Sequence, residues 1–168
     1  MPPAVSPSGE RSAYGTDQAQ LLRALQRGYG FPDGFAADKA DAASRALRSK
    51  RARAVAGSWP ALTGALGPQF AARFDAYARA TSPPPCGGGL ADGLVFVRGL
   101  ARDELSGQVR VERLLARSRL TMRRGARARR GAFLGVTFLD RPRRLLIVLR
   151  TPAGAGGHLV VALGRRRR

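Results

Sequence analysis

The chain holds one histidine, His158, and one cysteine, Cys86. They stand far apart, and neither has the spacing of a metal-ligand set, so no thiolate or imidazole cage can be assembled from them. The carboxylates are scattered. Asp103–Glu104 is the adjacent pair, and neighbours on a helix diverge by about 100°, so the two do not converge on one point. A Ser or Cys nucleophile needs a base held by a third group. His158 opens the last expected strand after a Gly-rich loop and reads as a strand-edge residue, and Cys86 reads as a loop thiol. GALGPQF (64–70) has no Lys–Ser/Thr pair, and TPAGAGG (151–157) joins two strands, whereas a phosphate loop leads from a strand into a helix N-terminus. The residues therefore predict no catalytic site, no metal and no cofactor. The expectation is a binding or adaptor protein, not an enzyme.

What the chain has in excess is arginine. Lys plus Arg is 30 and Asp plus Glu is 11, for a formal charge of +19. Residues 1–109 hold 13 basic and 9 acidic side chains, net +4, whereas residues 110–168 hold 17 and 2, net +15. Such asymmetry attracts polyanions, acidic protein surfaces or anionic lipid. Only Lys39 and Lys50 of the basic residues are lysines, a pattern that a genome favouring Arg codons also produces. The single cysteine fits a reducing compartment. The N-terminus lacks the apolar core of a secretory signal, and no stretch reaches the length of a membrane span. A cytoplasmic protein that does not enter a membrane is expected.

The elements that must carry these residues read as α+β: a mainly helical module of about six helices, then a small three-stranded antiparallel sheet. Residues 1–16, rich in Pro, Ser and Gly, read as a disordered leader. The helical module spans 17–122. Asp17 caps a first helix with Leu21, Leu22 and Leu25 on one face, which ends at Gly28–Gly30 before the turn FPDGF (31–35). A second helix runs from about Asp38 to Ser58. On it Arg51 lies between Leu47 and Val55, an i±4 relation that places it at the core edge, bonded to a carboxylate or to helix-end carbonyls. Arg45, Arg48, Lys50 and Arg53 are expected on its outer face. Trp59–Pro60 ends this helix and starts a short third one, closed by Gly67. Phe70, Phe74 and Tyr77 stripe a fourth helix, which stops at Thr81. SPPPCGGG (82–89) is a loop. A fifth helix carries Leu90, Leu94, Val95, Val97 and Leu100, and a sixth runs from about Gly107 into the Arg-rich stretch. Residues 123–131, RRGARARRG, have no apolar period and read as a basic connector. AFLGVTFL, RRLLIVLR and HLVVAL give strands within 132–164, with turns at DRP (140–142) and 151–157. Arg165–Arg168 form a basic tail.

One stretch is familiar as a whole. ALRSKRARAVAGSWPALTGALGPQFAARFDAYARATSPPP (46–85) resembles the helical module of partner proteins of multinuclear non-haem iron-dependent oxidative enzymes, which modify ribosomally made peptides. The pattern is Arg51 on a helix, Trp59–Pro60–Ala61, Leu66–Gly67, Phe70–Phe74–Tyr77 and Pro83–Pro85. LADGLVFVRGL (90–100) is similar to the next helix of that module. The Arg-rich connector and final strands are similar to an actinobacterial subgroup in which the module is the C-terminal part of a longer chain, behind the iron enzyme's barrel. This chain departs from that subgroup in having no barrel. The resemblance implies a partner that binds the iron enzyme, which supplies all metal ligands, and presents a precursor peptide to it.

Three readings follow. The sheet's open edges can accept an extended peptide, with flanking Arg favouring acidic sequences. Arg51, Trp59, Arg123, Arg124, Arg129, Arg130, Arg143 and Arg144 are the candidate partner- or peptide-binding residues, and Arg143, Arg144 and Arg150 bracket the strand edge. Trp59, Pro60, Leu62, Phe70, Phe74 and Tyr77 are otherwise core and turn residues. The alternative is non-specific nucleic-acid binding through connector and tail, since clustered Arg neutralises phosphates, although no recognition helix or aromatic stacking platform accompanies it. A fusion remnant without retained activity is the third reading.

Overall fold

The structure, a computed structural model, describes residues 18, 20, 21, 24, 25, 37–122, 126–140, 143–151 and 158–164. The expected leader, FPDGF turn, DRP turn and basic tail, together with Arg123 and Arg124, lie outside these residues or largely so. Residues 18, 20, 21, 24 and 25 are helical, and Ala24 is buried.

The described helices are α1 (Ala37–Ser58), α2 (Pro60–Leu66), α3 (Gln69–Ala80), α4 (Gly88–Phe96), continued by a 3-10 turn at Val97–Gly99, and α5 (Gly107–Arg119). Trp59 leaves the helical region at φ −136°, and Pro60 restarts it at the first helical position, where its missing N–H costs nothing. Trp59 supplies no side-chain cap. The Glu112 carboxylate, from α5, accepts instead from the Ala61 and Leu62 N–H groups at 2.7 and 3.0 Å. A negative charge at a helix N-terminus is favourable on dipole grounds as well.

Trp59, Leu62, Phe74, Leu94, Val97 and Val109 fill one core. Phe96 of α4 sits among the α3 rings, with centroids 6.2 Å from Phe70 and 5.3 Å from both Phe74 and Tyr77. The α1–α4 approach depends on Gly89 and Gly93, one turn apart. A Cβ at Gly89 would run into the Ala54 backbone, and one at Gly93 into the Trp59 indole.

Arg48 corrects the outer-face expectation for α1. Its side chain is 4 % exposed and ion-paired to Asp75 of α3 at 2.7 Å. The α1–α3 contact covers it, a surface that the pattern of α1 alone does not reveal.

Helix α5 also stops earlier than expected. Leu120 is extended (φ −120°, ψ 144°), and β1 (Leu120–Thr121) pairs antiparallel with β2 (Arg127–Ala128). The basic connector is thus partly a strand pair, and Ala126 within it is buried against Ala91 and Leu120. The small side chain is covered by neighbours from two other segments, which no apolar period announces.

The meander is as expected: β3 (Phe133–Asp140), β4 (Arg143–Arg150) and β5 (His158–Gly164) pair antiparallel in that order. Helix α5 packs on one face, where Leu114 meets Leu146 and Val148, with Phe133 and Leu115 beside them. Gly135 leaves room for Leu114, whose methyl a Cβ there would strike. The Arg150 Nη1 donates to the Ser118 carbonyl at 2.9 Å and ties β4 to the end of α5.

Gly93→Ala should lower stability by about 1–3 kcal/mol, because the indole has no free space to retreat into. Gly64→Ala, in α2 with nothing near its virtual Cβ, should raise it by about 0.5–1 kcal/mol. Denaturant unfolding of the two variants checks the contrast.

Candidate functional site

Helix α1 carries Arg51 to the inner edge of the bundle, and α4 presents the buried Asp92 to it. The pair is bidentate: Nε to Oδ2 at 2.9 Å and Nη2 to Oδ1 at 3.0 Å. Nη1 donates to the Ala78 and Thr81 carbonyls at the end of α3, at 3.2 and 2.9 Å. The Tyr77 hydroxyl donates to Asp92 Oδ1 at 2.9 Å. Burial, reinforced by the Asp92 charge, drives the Tyr77 hydroxyl well above its ordinary value, so it stays a donor. The guanidinium carbon lies 5.9 and 5.8 Å from the Phe74 and Tyr77 ring centroids. Arg51 therefore finds both the carboxylate and the helix-end carbonyls that its position on α1 demands. Its donors are spent inside the module, and its side chain is only 13 % exposed.

Trp59 is fully buried, and its indole N–H donates to the Leu90 carbonyl at 3.2 Å. This corrects its place among the candidate contacts: it offers no surface to a partner. Cys86 is exposed, with its thiol against the Ala126 carbonyl. Among the described residues no group of three or more His, Cys, Asp or Glu is placed to hold a metal ion, and no helix is long and apolar enough to cross a membrane.

Two further ionic contacts tie the helices. Asp75 accepts from Arg48 and from Arg79 Nε, the latter at 2.9 Å. Burial alone would raise the Asp75 carboxyl, but the bonds from Arg48 and Arg79 outweigh it and hold it below its ordinary value. Glu104 is paired with Arg73 and accepts from the Ala101 N–H at 2.9 Å. The Arg73 bond, then the backbone bond, lower its carboxyl as well.

The other predicted arginines scatter. Arg130 is exposed, as is Arg144 near the start of β4. The backbone of Arg143 pairs with Asp140, and its side chain lies outside the described residues. Arg129 is held: Nε donates to the Arg117 carbonyl at 3.1 Å, Nη2 reaches the Leu120 carbonyl at 3.5 Å, and the guanidinium covers the Phe133 ring at 5.0 Å. It closes the end of α5, where orphan carbonyls favour a cation.

Arg129 also lines a cleft of about 630 Å³ with Arg98 and Arg117. Arg98 and Arg117 were not legible as a pair, since they meet only when the turn after α4 is set beside the last turns of α5. On the far side of the sheet from α5, Leu134, Val136, Phe138, Leu149 and Leu163 are 67, 52, 50, 38 and 54 % exposed.

The family described as SCO6045-like, C-terminal domain, matches residues 15–102, and the chain belongs to that family. No curated protein and no solved structure matches it. The matched stretch contains the Arg51–Asp92 contact and Trp59, and it ends before α5 and the sheet.

Breaking the buried pair by Arg51→Met or by Asp92→Leu should each cost about 3–5 kcal/mol, because the remaining charge is stranded. The double variant should cost clearly less than the sum, as a double-mutant cycle in urea will show. Stability should also have an acid limb. Asp75 and Glu104 are depressed in the folded state, so their contribution is complete above ordinary carboxylate values and is lost as pH falls through the lower folded ones. Melting curves taken downward from neutral pH should show this loss, and Asp75→Asn should flatten part of it.

Proposed function

We propose that this member of the family is a non-catalytic partner that docks on a multinuclear non-haem iron-dependent oxidative enzyme and helps present a ribosomally made precursor peptide to it. The carrying observation is the uncovered sheet face. Helix α5 packs on one side of β3–β5, while the other side shows Leu134, Val136, Phe138, Leu149 and Leu163 to solvent. Contiguous apolar surface of that kind marks an interaction site. A second copy is a poor occupant, since each chain carries +19 and like charges repel across a contact. A partner whose apolar patch is rimmed by acidic residues fits better.

Two lines support the identity of that partner. The sequence at 46–100 resembles the partner module of such enzymes, and the family's description as a C-terminal domain agrees with the subgroup in which the module follows the enzyme's barrel. Peptide presentation draws on the sheet's edges: among the described residues, β3 and β5 each pair on one side only, which leaves backbone groups for an added strand. The alternative, non-specific nucleic-acid binding, draws on the Arg-rich connector and tail. It predicts DNA affinity that falls steeply with salt.

Co-expression with the iron enzyme should give a stable complex, and omission of this chain should reduce peptide modification. Leu134→Glu and Phe138→Glu, both at exposed positions, should abolish co-purification while leaving the melting temperature within a few degrees. Absence of a complex, with peptide modification unchanged when this chain is left out, overturns the reading.

A further inference from the structure

We propose that the cleft between the 3-10 turn after α4, the last turns of α5 and the β1–β2 pair binds an acidic peptide segment. In this arrangement Arg98, Arg117 and Arg129 take its carboxylates, while the partly exposed Met122 meets an adjoining apolar side chain. The cleft is separate from the bare sheet face, and its ligand does not depend on the identity of the docking enzyme.

The first reason is unmatched charge in a concave place. The cleft measures about 630 Å³, and among the described residues no carboxylate lines it. That volume is within the range of pockets that enclose a ligand. The described ion pairs use Arg48, Arg51, Arg73 and Arg79, none of which lines the cleft. Glu112, the acidic residue of α5, is turned to the N-terminus of α2. Nearby, burial first and then the charges of Arg117, Arg98 and Arg102 pull the Arg113 guanidinium below its ordinary value. Clustered like charges repel one another, and an anion in the cleft relieves that repulsion.

The second reason is preorganisation. Arg129 is fixed by two carbonyls and by the Phe133 ring, so it loses little freedom when an anion arrives. Planar guanidinium forks suit carboxylates, which they bind in a bidentate manner.

The third reason separates a peptide from a nucleic acid. The same cleft offers one partly exposed aliphatic side chain, Met122, beside the buried Leu94 and Leu120. A carboxylate-bearing peptide can place an aliphatic side chain beside its charges, whereas a single strand needs exposed rings on which bases stack. The Phe133 ring beside the cleft is already covered by Arg129.

Fluorescence anisotropy on the full chain alone, with no enzyme present, tests this. The probe is a short labelled peptide in which Glu pairs flank one Leu. Comparison ligands are the same peptide with Gln for Glu, the same peptide with Ser for Leu, a short single-stranded DNA and inorganic phosphate. The Glu–Leu peptide should bind most tightly. Arg98→Ala and Arg117→Ala, both at exposed positions, should each weaken it about tenfold, as loss of a charge-assisted hydrogen bond requires, with unchanged melting temperature. Arg45→Ala with Arg53→Ala, exposed on α1 and outside the cleft lining, removes twice the charge of either cleft variant elsewhere and should change affinity by less than about twofold. Equal weakening by the α1 pair shows attraction to net charge and overturns the site. DNA or phosphate binding as tightly as the peptide, with the same dependence on Arg98 and Arg117, overturns the ligand class. Because the enzyme is absent, neither result bears on the docking of the sheet.

Discussion

Asp92 is a carboxylate 3 % exposed in the middle of an otherwise apolar helix, and the helical module is arranged so that this charge is answered. A buried ion is tolerated only when a counter-charge and hydrogen bonds replace the water it has lost. Arg51 supplies the charge and two hydrogen bonds, and the Tyr77 hydroxyl supplies a third. The same guanidinium satisfies the carbonyls at the end of α3. One contact thereby fixes α1, α3 and α4 relative to one another. It needs close approach, which Gly89 and Gly93 permit. Apolar side chains of similar volume in place of such a buried pair are often neutral or stabilising, so the pair itself is not evidence of added stability, although loss of one partner alone is costly.

The use of carboxylates follows from the same constraint and divides the molecule. Asp75, Asp92 and Glu104 are all committed to arginines within the helical module. Glu112 serves backbone N–H groups at the start of α2. Almost nothing acidic is left for the arginines of α5 and beyond, because residues 110–168 contain only two acidic side chains against 17 basic ones. Carbonyls at the end of α5 answer Arg129, and the Ser118 carbonyl answers Arg150. These bonds orient the guanidinium groups without neutralising them. The positive field of the C-terminal part is thus set by composition, and the ion pairs among the described residues, which all lie within the helical module, do not offset it.

Local chemistry was readable in advance, and long-range pairing was not. The break at Trp59–Pro60, the aromatic stripe of α3 and the three strands are written in neighbouring residues, and their limits agree with the structure to within a residue or so. Arg51 was readable too, because its i±4 neighbours Leu47 and Val55 place it on the buried face. Arg48 was not: what buries it is Asp75, 27 positions away. Glu112 as the surrogate cap of α2 spans some 50 positions, and no capping motif announces it. Ala126 and the β1–β2 pair failed for a related reason, since two-residue strands carry no period to detect. The cleft is the extreme case. Sequence clustering reached only Arg129, within the contiguous run at 123–131, whereas Arg98 and Arg117 come from segments that are individually unremarkable.

The sheet carries a different message from the bundle. Three strands present two faces, and a single helix can cover only one. Position alternation in β4 shows the consequence: Leu146 and Val148 are buried under α5, whereas Leu149 is 38 % exposed on the opposite side. A sheet meant to face water alternates apolar with polar residues. Here both faces are apolar, with Leu134 paired to Leu149, Val136 to Ile147 and Phe138 to Leu145 on the bare one. Charge at the strand ends and a +19 surface guard such a face against self-association. They do not make it stable in water, because the apolar area still gains free energy from any cover that excludes solvent. Among the described residues the exposed large apolar side chains all lie in the sheet, so the sheet and not the helical module is the part with apolar area still open to cover.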